Sequence, residues 1–539
     1  MVCVEDALMN VGFRKMAARI RQLNPDTSIH YITYENYRSL ATIILGRYGS
    51  APAVRETFIR EMAEPIAHSD IVAFSSMTGY AALTREVIRA VRAINPRAYI
   101  VWGGIHPIIV SEDAIQHADA ICTGEGEFAF DTFLQAFRDG KDFTTTENFW
   151  FRVKGHSGES IRKNAFLPLM SNEEMSSLPL PHYGRDEWFY EPGKGYVPIN
   201  RDIYLRYNGL GYNTVWSIGC PFKCTFCGNT KFIENDNSYR KLRHASVQHL
   251  IDEINQARAV HPHISTIIFH DDSFMALPMD TLSHFSTEYK KQVDLPFAVY
   301  GVIPNYVKEE KFRILLEAGL NRVRMGIQNG SENILKFYER PTPPPRALEA
   351  ARTINAFKSY MIPPAYDIIL DNPIETKDDV VTNLKFLRKL PRPYTLNVYS
   401  LRVIPNTVLE RQMHQLGISV DEISANYVGV APTLANCLVF LLAVFPIPDR
   451  LFTWWLGKAQ PLLAKQTHHA NLLAICRTIY LVRRGWDHVK FLDFSVTAGN
   501  KLVYLLWRLG VVKFWRRHVI PSYTREPAGL EDARVRASL

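Results

Sequence analysis

Three cysteines fall within eight residues, Cys220, Cys224 and Cys227 in the stretch WSIGCPFKCTFC. Thiolates are soft ligands, suited to iron–sulfur clusters or to zinc. Zinc sites usually draw ligand pairs from separated segments and close a tetrahedron of four. Here three ligands share one loop and no fourth stands near them in sequence. A cubane held by three cysteines leaves one iron open to a further ligand. The spacing C-x3-C-x2-C, with the aromatic Phe226 before the last cysteine, has that form. The remaining cysteines, Cys3, Cys122, Cys437 and Cys476, are scattered, which excludes a disulfide framework. Cys122 falls on a predicted strand and reads as a small buried residue. His261 and His263 form H-x-H around Pro262, which reads as a solvated turn rather than a metal site.

Other stretches place polar or glycine-rich loops after predicted strands. Residues 74–78 read FSSMT, 102–107 WGGIHP and 122–127 CTGEGE. Ligands of open parallel sheets sit at the carboxyl ends of strands. Gly103, Gly104, Gly124 and Gly126 let a large ligand approach the backbone, and Ser75, Ser76 and Thr78 supply hydroxyls. On the residues alone this is a site for a nucleotide-like ligand. Further along, IFHDDSF at 268–274 carries Asp271 and Asp272, whose carboxylates can accept from an ammonium group or cap a helix. RMGIQNGSE at 324–332 brings Arg324, Gln328 and Ser331, and YDIILDNP at 366–373 ends another strand. Arg324 could equally be an ordinary ion-pair partner.

The elements that must position these groups follow from periodicity. The chain has 539 residues, 47% hydrophobic and 22% charged, a globular composition with room for roughly two to four domains. Residues 1–145 alternate short apolar runs (2–4, 28–32, 71–75, 99–102, 120–123) with amphipathic helical segments (11–23, 83–94, 128–137). That predicts an α/β, doubly wound, Rossmann-like domain. Residues 146–205, with stretches such as LPLPHYGRDE, show little periodicity and read as a linker. Over 206–425, six strand-like runs (214–218, 266–270, 297–302, 322–327, 366–370, 396–401) alternate with helical segments. This predicts a partial (β/α)6 TIM barrel, two units short of the eightfold one. Residues 426–539 mix Trp, Leu and Arg in amphipathic helical fashion. Their uncharged run 434–447 is short for a membrane span, which needs roughly 20 residues. This helical region reads as a lid over the barrel mouth, as a membrane-surface element, or as a subdomain burying its own apolar face. The net charge of +8 is mild and no Lys/Arg block suits nucleic acid. MVCVEDALMN has no basic segment before an apolar stretch, so no leader is expected and the cytoplasm is the expected compartment.

C-x3-C-x-Φ-C, with Phe226 as the aromatic, resembles the signature of the radical SAM superfamily. The resemblance implies a [4Fe–4S] cluster on Cys220, Cys224 and Cys227. Its open iron would chelate S-adenosylmethionine (SAM), which reductive cleavage converts to a 5′-deoxyadenosyl radical. It also implies Asp271 and Asp272 at the methionine amino group, Gln328 and Ser331 near the ribose or methionine end, Arg324 on the carboxylate, and 366–373 near the adenine. GGIHP, TGEGE and SS-x-T ahead of such a core, over roughly residues 1–425, resemble the cobalamin-binding domain of the B12-dependent radical SAM class. Ser75, Ser76, Thr78, Gly103, Gly104, His106, Gly124, Glu125 and Gly126 are then the expected cobalamin contacts. No D-x-H-x-x-G motif occurs, and His106 lies in a loop the class sets against the corrin, so base-off cobalamin with a weak or absent lower ligand is expected. The class implies C-methylation of a small-molecule or lipid-like substrate via methylcobalamin, at an unactivated carbon, with an external electron donor such as flavodoxin or ferredoxin. Cyclisation or ring rearrangement without methyl transfer stays open, as does a non-enzymatic cobalamin-binding role. Peripheral membrane contact is an open alternative for the C-terminal region.

Overall fold

The computed structural model describes residues 1–5, 8, 10–33, 56–155, 158–181, 183, 186–420, 429–459, 463, 468–491 and 501–518. Its first sheet has nine strands: β1 Val2–Glu5, β2 Ile29–Thr33, β3 Ile71–Ser76, β4 Tyr99–Gly103, β5 Ala120–Cys122, β6 Phe149–Gly155, β7 Gly158–Lys163, β8 Glu187–Glu191 and β9 Gly195–Pro198. Their order is β7-β6-β5-β4-β3-β1-β2-β8-β9. The inner run from β5 to β8 is parallel, and antiparallel strands flank it on both sides. The strand order reverses between β1 and β3, where a doubly wound sheet opens its ligand crevice.

Alternation along the strands sends side chains to two helical layers. Phe74 and Trp102 pack with Val87 and Val91 of the helix Ala81–Ile94 on one face. Ala73 and Val101 pack with Ile20 of the helix Val11–Leu23 and with Phe130 and Phe133 of Ala129–Arg138 on the other. The segment 146–205 differs from the expected linker, for it supplies β6 to β9 and lengthens the first sheet at both edges. The outermost strand hid because it buries nothing, β7 being exposed at every residue, while β6 and β8 bury Phe149, Phe151, Phe189 and Tyr190.

The second sheet is β10 Gly211–Thr214, β13 Thr266–Phe269, β14 Phe297–Val302, β15 Leu320–Gln328, β16 Ala365–Leu370 and β17 Thr395–Ser400, all parallel and in sequence order. Between them, β11 Ser217–Ile218 and β12 Arg243–His244 form a small antiparallel ladder. The run expected as one strand over 214–218 is thus broken, its last residues turning away to start the cysteine loop. Five helices, Val247–Val260, Met279–Gln292, Glu309–Ala318, Pro344–Ala356 and Lys377–Lys389, cover the outer face. In β15, Val323, Met325 and Ile327 join the outer core, so Arg322, Arg324, Gly326 and Gln328 alternate toward the lumen.

The C-terminal helices, read from sequence as a lid, a membrane-surface element or a self-packed subdomain, lie along a side wall and at the floor of the barrel. Helix Leu434–Val444 begins beside Asp371, which accepts from Ala431 N (2.8 Å) and Asn436 Nδ2 (2.7 Å) at the barrel mouth. It ends under the Arg392 guanidinium, which donates to the carbonyls of Ala443 and Phe445 before β17 begins, a cation at a helix C-terminus. Helix Ala470–Phe491 buries Leu473, Cys476 and Tyr480 against the barrel. Helix Lys501–Arg508 packs on Leu205 and Leu210 below β10. Tyr504 and Trp507 there meet His263, whose ring is 3% exposed, while His261 stacks on Tyr204 at 4.0 Å. H-x-H is therefore part of a buried aromatic cluster and not a solvated turn. Among the described residues no helix is long and apolar enough to cross a membrane.

The Tyr480 hydroxyl bridges helix Ala470–Phe491 to the backbone N–H (3.2 Å) and carbonyl of Leu396. Tyr480→Phe leaves both without that partner in a buried setting, and should lower barrel stability by about 1–3 kcal/mol. Chemical denaturation followed by circular dichroism checks this.

Candidate functional site

The cysteine loop leaves the ladder β11–β12 and is held from several sides. Gly219 has φ 115°, and a Cβ there would lie 2.5 Å from the Lys241 carbonyl, so only glycine makes this turn. Cys220 N donates to Tyr239 O (3.2 Å), Cys227 N to Cys224 O (2.9 Å) and Thr225 N to Tyr338 O (2.9 Å). Phe226 packs edge-on against Tyr338 at 4.9 Å and plugs the loop into an apolar cluster with Leu401 and Val403. Cys224 is buried, and Cys220 and Cys227 are partly so. Burial, reinforced by the Asp272 carboxylate, pushes the thiols of Cys220 and Cys227 up to about 12. Bound cations would reverse this, because a coordinated thiol loses its proton outright. Among the described residues no three side chains of His, Cys, Asp or Glu converge on a single ion.

The two neighbouring aspartates divide. Asp271 is 1% exposed and accepts from Trp216 N (3.0 Å), Ser217 N (2.7 Å) and Ser217 Oγ (2.5 Å). Both its oxygens pin the start of the cysteine loop to the end of β13, which replaces its expected contact with an ammonium group. Asp272 accepts from Tyr239 Oη (3.4 Å) and keeps contact with solvent on the cysteine side. Ser331 is likewise engaged internally, donating to Asp379 Oδ1 at 2.5 Å. Arg324 lies in the lumen, with Nε 2.8 and 2.9 Å from the Asp367 oxygens and Nη2 2.8 Å from Tyr399 Oη. Gln328 sits at the mouth end of β15 with φ 75°. Arg340 carried no sequence signal, coming from a loop rich in proline. Its Nη1 is 3.6 Å from Cys224 Sγ, its Nη2 bonds Gly326 O, and its buried Nε has no hydrogen-bond partner among the described residues.

A cavity of about 700 Å³ opens between the two sheets. On one side it meets the carboxyl ends of β1, β3, β4 and β5 through Glu5, Ser75, Gly103, Gly104 and the turn Thr123–Glu127. On the other it meets Val215, Ile218, Tyr239 and His270 at the barrel mouth. Gly104, at φ 86°, lies so close to β3 that a Cβ would stand 2.8 Å from Ser75 Oγ. Burial and the neighbouring Glu125 push Glu127 up to about 7. The remaining expected contacts do not line this cavity. Ser76 Oγ accepts from Trp102 Nε1 (3.0 Å), and Thr78 starts a short helical turn. His106 is 3% exposed, lies against Trp102 and is 3.0 Å from Asp113 Oδ2 through Nε2. Glu125 lines the cavity but pairs across the domains, with Oε1 2.7 Å and Oε2 3.1 Å from the Arg243 guanidinium.

A smaller cavity of about 280 Å³ lies within the barrel, lined by Tyr300, Arg322, Arg324, Asn397, Tyr399 and, from the C-terminal helix, Arg484. His270 lines the larger cavity, its ring 5.0 Å from that of Tyr300 in the smaller one. Burial and then Arg324 hold its imidazole down at about 4, so it is neutral at physiological pH.

Residues 214–387 match the family model of the radical SAM superfamily, and residues 42–134 match that of the B12 binding domain. The chain joins a B12 binding domain to a radical SAM domain, and this pairing carries a [4Fe–4S] cluster, SAM and cobalamin as its cofactors. An uncharacterized methyltransferase of Pyrococcus horikoshii is 24% identical over 60% of this chain and 65% of its own length. The cobalamin-dependent radical SAM methyltransferase TokK of Streptomyces tokunonensis is 23% identical over 67% and 51%. The anaerobic magnesium-protoporphyrin IX monomethyl ester cyclase of Cereibacter sphaeroides is 24% identical over 53% and 44%. The chain thus spans between 44% and 65% of these relatives' lengths. In fold it is similar to the cobalamin-dependent SAM radical enzyme OxsB (TM-score 0.60, 14% identity, 97% of this chain and 83% of that one). It is also similar to the radical SAM methyltransferase TsrM of Kitasatospora setae (0.57, 14%, 77% and 76%).

Burial pushes Asp271 up to about 6 from 3.8 despite its hydrogen bonds. The folded state then binds more protons than the unfolded one between those values, so stability falls as pH rises through that window, by about 3 kcal/mol. Asp271→Asn removes the titration. Urea midpoints measured from about pH 4 to about pH 6 should fall for the wild type and stay flatter for the variant, whatever the variant's absolute stability.

Proposed function

We propose that this chain is a cobalamin-dependent radical SAM enzyme that transfers a methyl group from SAM to a carbon of a small-molecule or lipid-like substrate, drawing electrons from an external donor of the flavodoxin or ferredoxin type. The observation that carries this reading is the single cavity of about 700 Å³ shared by the strand ends of the first sheet and the mouth of the second, beside the cysteine loop. When bound, the cluster and cobalamin supply, respectively, the electron that opens SAM and the carriage of the methyl group.

The chain's own residues position and shield. Cys220, Cys224 and Cys227 would hold the cluster, with the Arg340 guanidinium against Cys224. Asp272, open toward the cysteines, is the carboxylate available to an ammonium group. Ser75, Gly103, Gly104, Gly124 and Gly126 offer a wall where a large planar ligand meets backbone. Ile105, Ile108, Phe130 and Leu167 make the rest of that wall apolar, which excludes water from reactive species. His106 is held by Asp113 behind Trp102, away from the cavity, which favours cobalamin without a histidine ligand from this loop. Below the mouth, Arg324, Asp367 and Tyr399 form a preorganised polar lumen for the substrate.

A second reading, cyclisation without methyl transfer, is supported by the likeness to the magnesium-protoporphyrin cyclase. SAM labelled in its methyl group separates the two: label recovered in product supports transfer, while 5′-deoxyadenosine with unlabelled product supports cyclisation. Cys224→Ala should abolish 5′-deoxyadenosine formation while cobalamin absorbance stays with the protein. Loss of cobalamin from that variant would contradict the assignment of the two cofactors to separate domains.

A further inference from the structure

The C-terminal helices carry a surface that the proposed chemistry does not use. Of the nineteen large hydrophobic side chains exposed among the described residues, thirteen lie between Phe445 and Phe514, so the exposure is concentrated in this region rather than spread singly over the surface. Helix Ala470–Phe491 shows the pattern most clearly. Leu472, Ile475, Val482, Trp486 and Val489 are 38–68% exposed, and half-buried Ile479 fills the gap between them. Steps of three and four residues put all six on one stripe. The opposite face, with Leu473, Cys476 and Tyr480, is buried against the barrel. Leu502, Leu505, Leu509 and Phe514 on the following helix pair are 47–67% exposed as well.

Charge tells what this surface meets. Residues 445–518 contain twelve Lys or Arg and three Asp or Glu, a net +9 in a chain whose total is +8. The rest of the molecule is therefore close to neutral, and the excess positive charge belongs to the segment that carries the exposed stripe. Lys490 follows the stripe by one residue and flanks it on the helix, as does Arg483, which also pairs with Asp487 at 3.2 Å, and Lys513 is exposed on the last helix. A second copy would bring the same positive charge against this one, which opposes self-association. Neutral lipid would leave the charge without a partner. No described helix can cross a bilayer, so the element lies in the plane of the surface.

We propose that helix Ala470–Phe491, with the helices Lys501–Arg508 and Val511–His518, docks this protein on an anionic lipid surface, the apolar stripe entering the acyl boundary and the flanking cations meeting headgroups. These helices also form the barrel floor, and Arg484 of the same docking helix reaches the inner cavity, so the surface contact borders the substrate side of the barrel.

The test is co-sedimentation of the full chain with extruded vesicles of phosphatidylcholine, with and without phosphatidylglycerol, at low and high salt. Binding to the phosphatidylglycerol vesicles, weakened by salt and absent with phosphatidylcholine alone, is the expected result. Ile475→Asp with Trp486→Asp should cut partitioning at least about 10-fold. Lys490→Glu with Lys513→Glu should weaken it while leaving the stripe intact. All four positions are exposed, so unchanged circular dichroism is expected of both variants. Equal binding to both vesicle types, no binding to either, or a concentration-dependent dimer abolished by the stripe variant would each overturn the proposal.

Discussion

The ion pair between Glu125 and Arg243 joins the two halves of the molecule at the point where they must act together. Glu125 belongs to the turn after β5 of the first sheet, and Arg243 to β12, paired with Ile218 just before the cysteine loop. The pair is bidentate and mostly buried, at 21% and 11% exposure, and Arg243 also donates to Met170 O while Glu125 accepts from Met170 N. Such geometry fixes orientation as well as distance. Because parallel sheets present their loops at strand carboxyl ends, clamping one loop from each sheet makes both sets of ends face the same cavity. Lys15, which reaches Val215 O at 2.9 Å, and Asn406, which reaches Ile109 O at 2.8 Å, add to the same closure.

Within the barrel, the alternation of β15 separates two environments. Val323, Met325 and Ile327 belong to the helix-covered core, whereas Arg322, Arg324 and Gln328 project inward. Buried guanidinium groups persist only where partners meet them, and Asp367 and Tyr399 from β16 and β17 do so for Arg324. The floor is completed by a helix that follows the barrel in sequence, with Tyr480 bridging it to Leu396 and Arg484 entering the cavity.

Most of the architecture was legible in periodicity. The six strands of the second sheet fall within a few residues of their expected runs, and the doubly wound inner strands of the first do likewise, because buried strands are continuous apolar runs. The edge strands β7 and β9 were not legible, since neither buries a residue, whereas β6 and β8 bury Phe149, Phe151, Phe189 and Tyr190 in runs too short to stand out from the polar, proline-containing stretches around them. Within the site, the cysteines were readable from spacing and the glycine turns from composition. The partners that fix them were not. Asp271 and Asp272 are neighbours of one type in sequence, and only the fold shows that one anchors the loop while the other faces the thiols. Arg243 lies in a two-residue strand and Arg340 in an irregular loop, so no local pattern distinguishes them from surface arginines. His106 sat in a telling motif, yet its hydrogen bond to Asp113 turns it from the cavity.

The central claim is that both metal cofactors serve one cavity between the domains. Reconstituted protein carrying the reduced cluster and cob(II)alamin has two unpaired spins, and pulsed electron paramagnetic resonance reads their dipolar coupling. A resolved coupling in the wild type, altered when Arg243→Met removes the clamp, is the predicted result. Two uncoupled signals in a fully loaded wild-type protein would contradict the account.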